Sequence, residues 1–240
     1  MRPAVERQIV AFLAAGDLNA SQIADITRIP RSTVQRWLIQ PEPKRGRVPT
    51  LDLGALPEAD YSYLLGFYLG DGTISSHPRD VHRLCIYTDA RYPAIIAECA
   101  SAMRSVMPGN RVNIRQLRSR AVEISSYSKI WPLLFPQHGP GRKHERKIEL
   151  APWQTGIVER YPRELLRGLI HSDGCRVLNR VNGTDYPRYF FDQVSSDIEG
   201  IFCDACDRLG IEYRLSSRKT VSVARAGSVA LLDSFVGPKA

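Results

Sequence analysis

The chain has no apolar run near the ~18 residues that a membrane-spanning helix needs, so it is expected to be a cytoplasmic protein without a membrane partner. The apolar stretch Ile9-Val-Ala-Phe-Leu-Ala-Ala15 is short and follows Glu6 and Arg7, which argues against a signal peptide. It also lacks a disulfide framework: its five cysteines are odd in number and scattered at 85, 99, 175, 203 and 206. Cys203 and Cys206 form a C-x-x-C, but no second pair completes a zinc ligand set. They sit on an apparent amphipathic helix, so buried thiols are expected. Negative charge is the scarcer sign, with 25 acidic against 33 basic residues, a net charge of +8. That excess favours a polyanion as partner, nucleic acid being the commonest. The 240 residues suffice for one sizeable core and a small accessory domain.

Residues 1–40 read as three short helices. The first, from about Pro3 to Ala15, carries Val5, Ile9, Phe12 and Leu13 on one expected face and stops at Gly16-Asp17. The second, Ser21–Ile26, is capped by Asn19 or Ser21. The third, Arg31–Leu38, buries Val34, Trp37 and Leu38 and turns Arg31, Ser32, Thr33, Gln35 and Arg36 outward. The pattern resembles a helix-turn-helix, whose second helix enters the DNA major groove. It departs from that motif at the turn, where Arg28 stands in place of the usual glycine. Residues 41–56 are proline-rich and basic and read as a linker, with Lys44, Arg45 and Arg47 as possible phosphate contacts.

The remainder contains one pattern twice, over 57–150 and 151–240. Each copy reads helix, two strands, helix, two strands, helix, and each opening helix ends in Asp-Gly. The aspartates, Asp71 and Asp173, are 173 − 71 = 102 residues apart. The helices, Tyr63–Gly72 and Glu164–Gly174, carry small residues four apart: Gly66 with Gly70, Gly168 with Ser172. That spacing places them on one face, where two backbones can approach closely. A carboxylate at a helix C-terminus faces the negative end of the dipole, and two such helices side by side would add like-charge repulsion. A divalent cation removes both penalties, and carboxylates with carbonyls form an oxygen-rich site suited to Mg²⁺.

These two segments resemble the double motif of single-chain LAGLIDADG homing endonucleases, over roughly 57–240. The resemblance implies an α+β fold of two pseudo-symmetric αββαββα repeats. Their antiparallel sheets would form a DNA saddle, behind a small three-helix domain. It further implies a monomer that cuts both strands of double-stranded DNA at one Mg²⁺-dependent site. Asp71 and Asp173 would be the catalytic metal ligands, with the carbonyls of Gly70 and Ser172 as further ligands. The earlier aspartate of the family motif is replaced by Leu69 and His171; His171 is given no role. Similar enzymes place a basic residue after the last helix of the first half; here Lys143 or Lys147 is the candidate, Lys143 preferred, with Lys239 as a weaker counterpart in the second.

For the saddle, Arg111, Asn113 and Arg115 alternate with Val112 and Ile114, and Arg118 extends the charge at the turn. Arg176 and Arg180 are expected on one face opposite Val177 and Val181, and Arg214 and Arg218 on another strand pair. Such side chains suit phosphates and base edges alike. Two other readings share the scaffold: a DNA-binding transcriptional regulator that does not cut, and an RNA-splicing assistant. Self-splicing is not expected, since the sequence opens on Met1 and closes on Gly-Pro-Lys-Ala.

Overall fold

The computed structural model describes residues 2–39, 50–237 and 239. The basic residues Lys44, Arg45 and Arg47 lie outside them. The chain divides into two compact units, residues 1–49 and 50–240.

The first unit is built from α1 (Arg2–Ala15), α2 (Ala20–Thr27) and α3 (Arg31–Ile39). Asn19 starts α2 with a reciprocal cap. Its side chain accepts from the backbone N–H groups of Ser21 and Gln22, and the Gln22 side chain accepts from its own N–H. The helix ends at Arg28 in the left-handed region (φ 60°), with its N–H on the Ala24 carbonyl. This is the position where glycine is the usual residue, and an arginine there costs about 1 kcal/mol. Val10, Ile23, Val34 and Trp37 form the core, with Leu13, Ala14 and Leu38 against it. The apolar face of α1 is therefore rotated from the expected one: Val10, Leu13 and Ala14 face in, while Ile9 and Phe12 are exposed. The Val5 side chain lies outside the described residues.

The second unit contains two runs of the same order. The first is α4 (Glu58–Asp71), β1 (Gly72–His77), β2 (Val81–Asp89), α5 (Pro93–Val106), β3 (Val112–Gln116), β4 (Ala121–Ser128) and α6 (Trp131–Leu134). After α7 (Pro152–Arg160), which the sequence pattern did not suggest, the second run follows. It comprises α8 (Pro162–Asp173), β5 (Gly174–Val181), β6 (Thr184–Asp192), α9 (Ser196–Arg208), β7 (Arg214–Ser217), β8 (Thr220–Val223) and α10 (Ala226–Asp233). The fold is α+β, with two antiparallel four-stranded sheets ordered β1-β2-β4-β3 and β5-β6-β8-β7. Each hairpin order repeats, so corresponding strands occupy corresponding places.

One core serves both runs. Helix α4 is buried along Tyr61–Leu69 on every side, as a central helix should be. It packs lengthwise on α8, and α5 and α9 close the helix layer over the two sheets. Leu84, Ile86, Val122 and Ile124 face this layer from the first sheet, and Tyr189, Phe191, Val221 and Val223 from the second. Cys206 is buried on α9 as expected, whereas Cys203 is only half-buried. Among the described residues, no helix is long and apolar enough to cross a membrane.

Candidate active site

The α4/α8 seam is backbone against backbone. A Cβ on Gly66 would stand 2.4 Å from the Leu165 carbonyl oxygen, and one on Gly168 2.1 Å from that of Tyr63. Only glycine lets the helices approach this closely. One turn further, a Cβ on Gly70 would meet Ser172 Oγ at 2.2 Å and Asp173 Oδ2 at 2.8 Å. The expected small-residue face is thus the contact face, and it delivers both helix ends to one place.

Gly72 and Gly174 close the helices, but not as left-handed caps. Their φ values are −86° and −102°, open to any residue. Glycine is required because the chain turns back on its own last turn: a Cβ would lie 2.5 Å from Tyr68 Cα and 2.7 Å from Ile170 Cα.

Burial, and then the neighbouring Asp173, push the Asp71 carboxyl up to about 6. Asp173 is also raised by burial, against the pull of Lys143, Lys239 and a Gln193 hydrogen bond. Lys143 donates to the carbonyls of Tyr68, Leu69 (2.9 Å) and Gly70 (2.7 Å), which engages all three ammonium hydrogens at the end of α4. Burial lowers it to about 8 while the two aspartates pull it back up. Lys239 makes the corresponding contact on α8, donating to the Ser172 carbonyl at 3.1 Å, and burial lowers it as well. Each helix end therefore receives one ammonium, placed to oppose its dipole and to sit near both carboxylates.

Lys147 instead pairs with Glu149 on the exposed surface. Gln193, which follows β6, donates to Asp173 Oδ2 at 2.9 Å. The sequence pattern did not single it out, because a polar residue just past a strand looks like ordinary loop. His171 is buried in the seam, its Nδ1 3.0 Å from the Tyr63 hydroxyl, and burial lowers its ring to about 4.

No third His, Cys, Asp or Glu joins the pair among the described residues. A cation placed between the helix ends would meet two carboxylates and the Gly70 and Ser172 carbonyls, which already accept from the lysines. An all-oxygen set of this kind fits a hard divalent ion such as Mg²⁺.

The strand registers place the expected sheet residues. Asn113 and Arg115 lie opposite Ser125 and Glu123 on the face turned away from the helices. Arg115 is tied to Glu123 at 3.1 Å, and Arg83, unsuspected from sequence, pairs with the same buried carboxylate. Arg111 is exposed just before β3 and Arg118 in the following turn.

The second sheet corrects an expectation. Arg176 lies opposite buried Tyr189, on the helix-facing side, and donates twice to Asp233 of α10 at 2.7 and 2.9 Å. Arg180 shares that side at the exposed end of the hairpin, 3.5 Å from Asp185. The outward side carries Val177, Asn179, Arg188 and Phe190 instead, with Arg188 over the Phe190 ring. Arg214, opposite Ser222, joins them, and Arg218 is exposed in the β7–β8 turn. On α3, Arg31, Ser32, Gln35 and Arg36 are exposed and Thr33 is half-buried.

No family model and no curated protein matches the chain. Among solved structures, mesophilic variants of the homing endonuclease I-DmoI superpose with a TM-score of 0.50 at 13% identity, covering 75% of this chain and 96% of theirs. A further I-DmoI variant, solved with its target DNA in the presence of Mg, gives 0.50 at 13% over 75% and 96%. The N-terminal LAGLIDADG domain of DUF199/WhiA gives 0.50 at 15% over 80% and 87%. The chain has a LAGLIDADG-type fold.

Proposed function

We propose that this LAGLIDADG-type protein is a site-specific endonuclease of double-stranded DNA, working as a monomer with internal pseudo-two-fold symmetry. The observation that carries this reading is the pair of half-buried carboxylates, Asp71 and Asp173, each beside a lysine at a helix end. Left alone, two ionised carboxylates there repel one another and both helix dipoles. A site that holds such charge in place is arranged for a cation.

Asp71 and Asp173, with the Gly70 and Ser172 carbonyls, would hold Mg²⁺. The bound cation would supply an acidified water and positive charge against the phosphate. The chain's own groups do the rest. Lys143 and Lys239 stand as fixed positive charges where negative charge builds on the phosphodiester. Gln193 holds Asp173 Oδ2 and so orients one carboxylate. The outward sheet faces, with Asn113, Arg115, Arg118, Arg214 and Arg218 joined by Arg83 and Arg188, supply a basic surface for the duplex. Arg111 would extend it, and Arg180, at its exposed hairpin end, could reach a flanking phosphate. The three-helix unit serves as a helix-turn-helix, with Arg31, Ser32, Thr33, Gln35 and Arg36 toward DNA. An intracellular, DNA-associated location follows.

The test is cleavage of DNA carrying the chain's preferred site. Mg²⁺ is expected to be required, and Asp71→Asn to abolish cutting while leaving binding intact. Cutting that persists in Asp71→Asn would sink the assignment.

A second reading is a DNA-binding regulator that does not cut. The two lysines neutralise the helix ends without a metal, and that observation favours it. Tight, specific binding with no cleavage in Mg²⁺ would favour it.

A further inference from the structure

Lys143 and Lys239 reach corresponding helix ends from segments held in quite different ways. Lys143 sits in a loop after Gly139-Pro140-Gly141, a stretch with little side chain to pack and with Gly141 at φ 77°. Arg146 staples that loop. Its Nη1 donates to the carbonyls of Gly139 (2.6 Å), Pro140 (3.1 Å) and Gly141 (3.2 Å), and its Nη2 to that of Gln137 (2.9 Å). One guanidinium thus fixes the backbone on the near side of Lys143 from a position three residues beyond it. No other described side chain donates to those four carbonyls.

Lys239 arrives on a tail that follows α10. Arg176 fixes Asp233 through two bonds, and the Tyr189 hydroxyl donates to the same carboxylate at 2.6 Å. That hydroxyl also lies 3.2 Å from the Gly237 carbonyl, so it links the end of α10 to the tail. His171 hydrogen-bonds the Val236 backbone. The ammonium then meets the Ser172 carbonyl and lies 5.8 Å over the Tyr92 ring. Among the described residues, no hydrogen bond or ion pair joins this clamp to the Arg146 loop.

We propose that Arg146 and the Tyr189–Asp233–Arg176 cluster are positioning residues, each setting one lysine and thereby governing hydrolysis of one DNA strand. The inference rests on the nuclease reading. Two acidic ends, each with its own ammonium, match the two antiparallel strands of a duplex, so disturbing one clamp should disable one strand's cut. Arg176, with its guanidinium spent on Asp233, acts through Lys239 and not as a groove contact.

The test uses the full chain and a duplex selected by it from a randomised pool, with a different fluorophore on each strand. Wild type in Mg²⁺ is expected to cut both strands. Arg146→Gln should slow one strand roughly ten- to hundredfold, the loss typical of a misplaced group, and leave the other little changed. Tyr189→Phe and Asp233→Asn should slow the opposite strand, with duplex affinity in Ca²⁺ unchanged. If Arg146→Gln fails to fold by thermal melting, Arg146→Lys keeps three donors and should give a weaker bias toward the same strand. Equal slowing of both strands by each variant, or of neither, overturns this proposal alone. A wild-type chain that binds the duplex and cuts neither strand overturns it together with the nuclease reading.

Discussion

At the residue scale, the carboxyl of Asp71 ties stability to function. It ionises near 3.8 in the unfolded chain and near 6 in the fold, raised first by burial and then by Asp173. The folded state therefore binds this proton more tightly. The resulting stability is fully present below pH 3.8 and is lost as pH rises through 6. Above that, with no cation bound, the ionised group opposes folding by up to about 3 kcal/mol at ~1.36 kcal/mol per unit. Asp71→Asn is accordingly expected to raise the melting temperature in EDTA at pH 8, with the gain gone by pH 4. Identical melting curves at pH 8 would contradict the burial argument. Both aspartates were legible in the sequence, because an Asp-Gly after an apolar helix is an unfavourable choice that recurs. The lysines came only from the family resemblance, which left Lys147 open beside Lys143 and made Lys239 a weaker counterpart. Gln193 was not legible, since its role depends on where β6 ends. Arg176 was misplaced because strand alternation gives two faces without saying which is buried. The partner that decides it, Asp233, lies 57 residues away.

At the scale of elements, the seam between α4 and α8 was foreshadowed by small residues four apart. The spacing identifies a face but not the depth of contact, which the Gly66 and Gly168 backbones define. A methyl at either position meets main chain that cannot turn aside. Gly66→Ala or Gly168→Ala is expected to destabilise the second unit by about 2–3 kcal/mol or more, read as a lowered urea midpoint. An unchanged midpoint would mean the seam is looser than its geometry. The strand and helix order was legible almost throughout. Helix α7 was missed because nine residues with Gly156 inside and a proline at each border give little period to read. On α1 the apolar residues Ile9, Val10, Phe12 and Leu13 permit two overlapping faces, and only packing against Ile23 and Val34 selects Val10 over Phe12.

At the scale of the whole molecule, the two units have separate cores, Val10-Ile23-Val34-Trp37 in one and the α4/α8-centred cluster in the other. Residues 50–240 produced alone should therefore unfold cooperatively, with a midpoint close to that of the same unit in the full chain. The first unit, with four buried side chains at its centre among the described residues, should melt at lower temperature. A single shared transition in calorimetry would show that the units depend on each other. If the three-helix unit binds DNA, its removal should also flatten the dependence of affinity on salt concentration.

At Gly66 and Gly168 main chain touches main chain, so no side chain at those two positions can widen or narrow the gap between the two carboxylates one turn further on; the molecule carries a fixed caliper. On the proposed reading, DNA must come to that gauge by bending or narrowing its own groove. Sequence preference would then enter through base pairs that no side chain reaches, according to how readily each step deforms. Replacing flexible steps between the cuts by stiff ones should weaken binding even though every direct contact is retained.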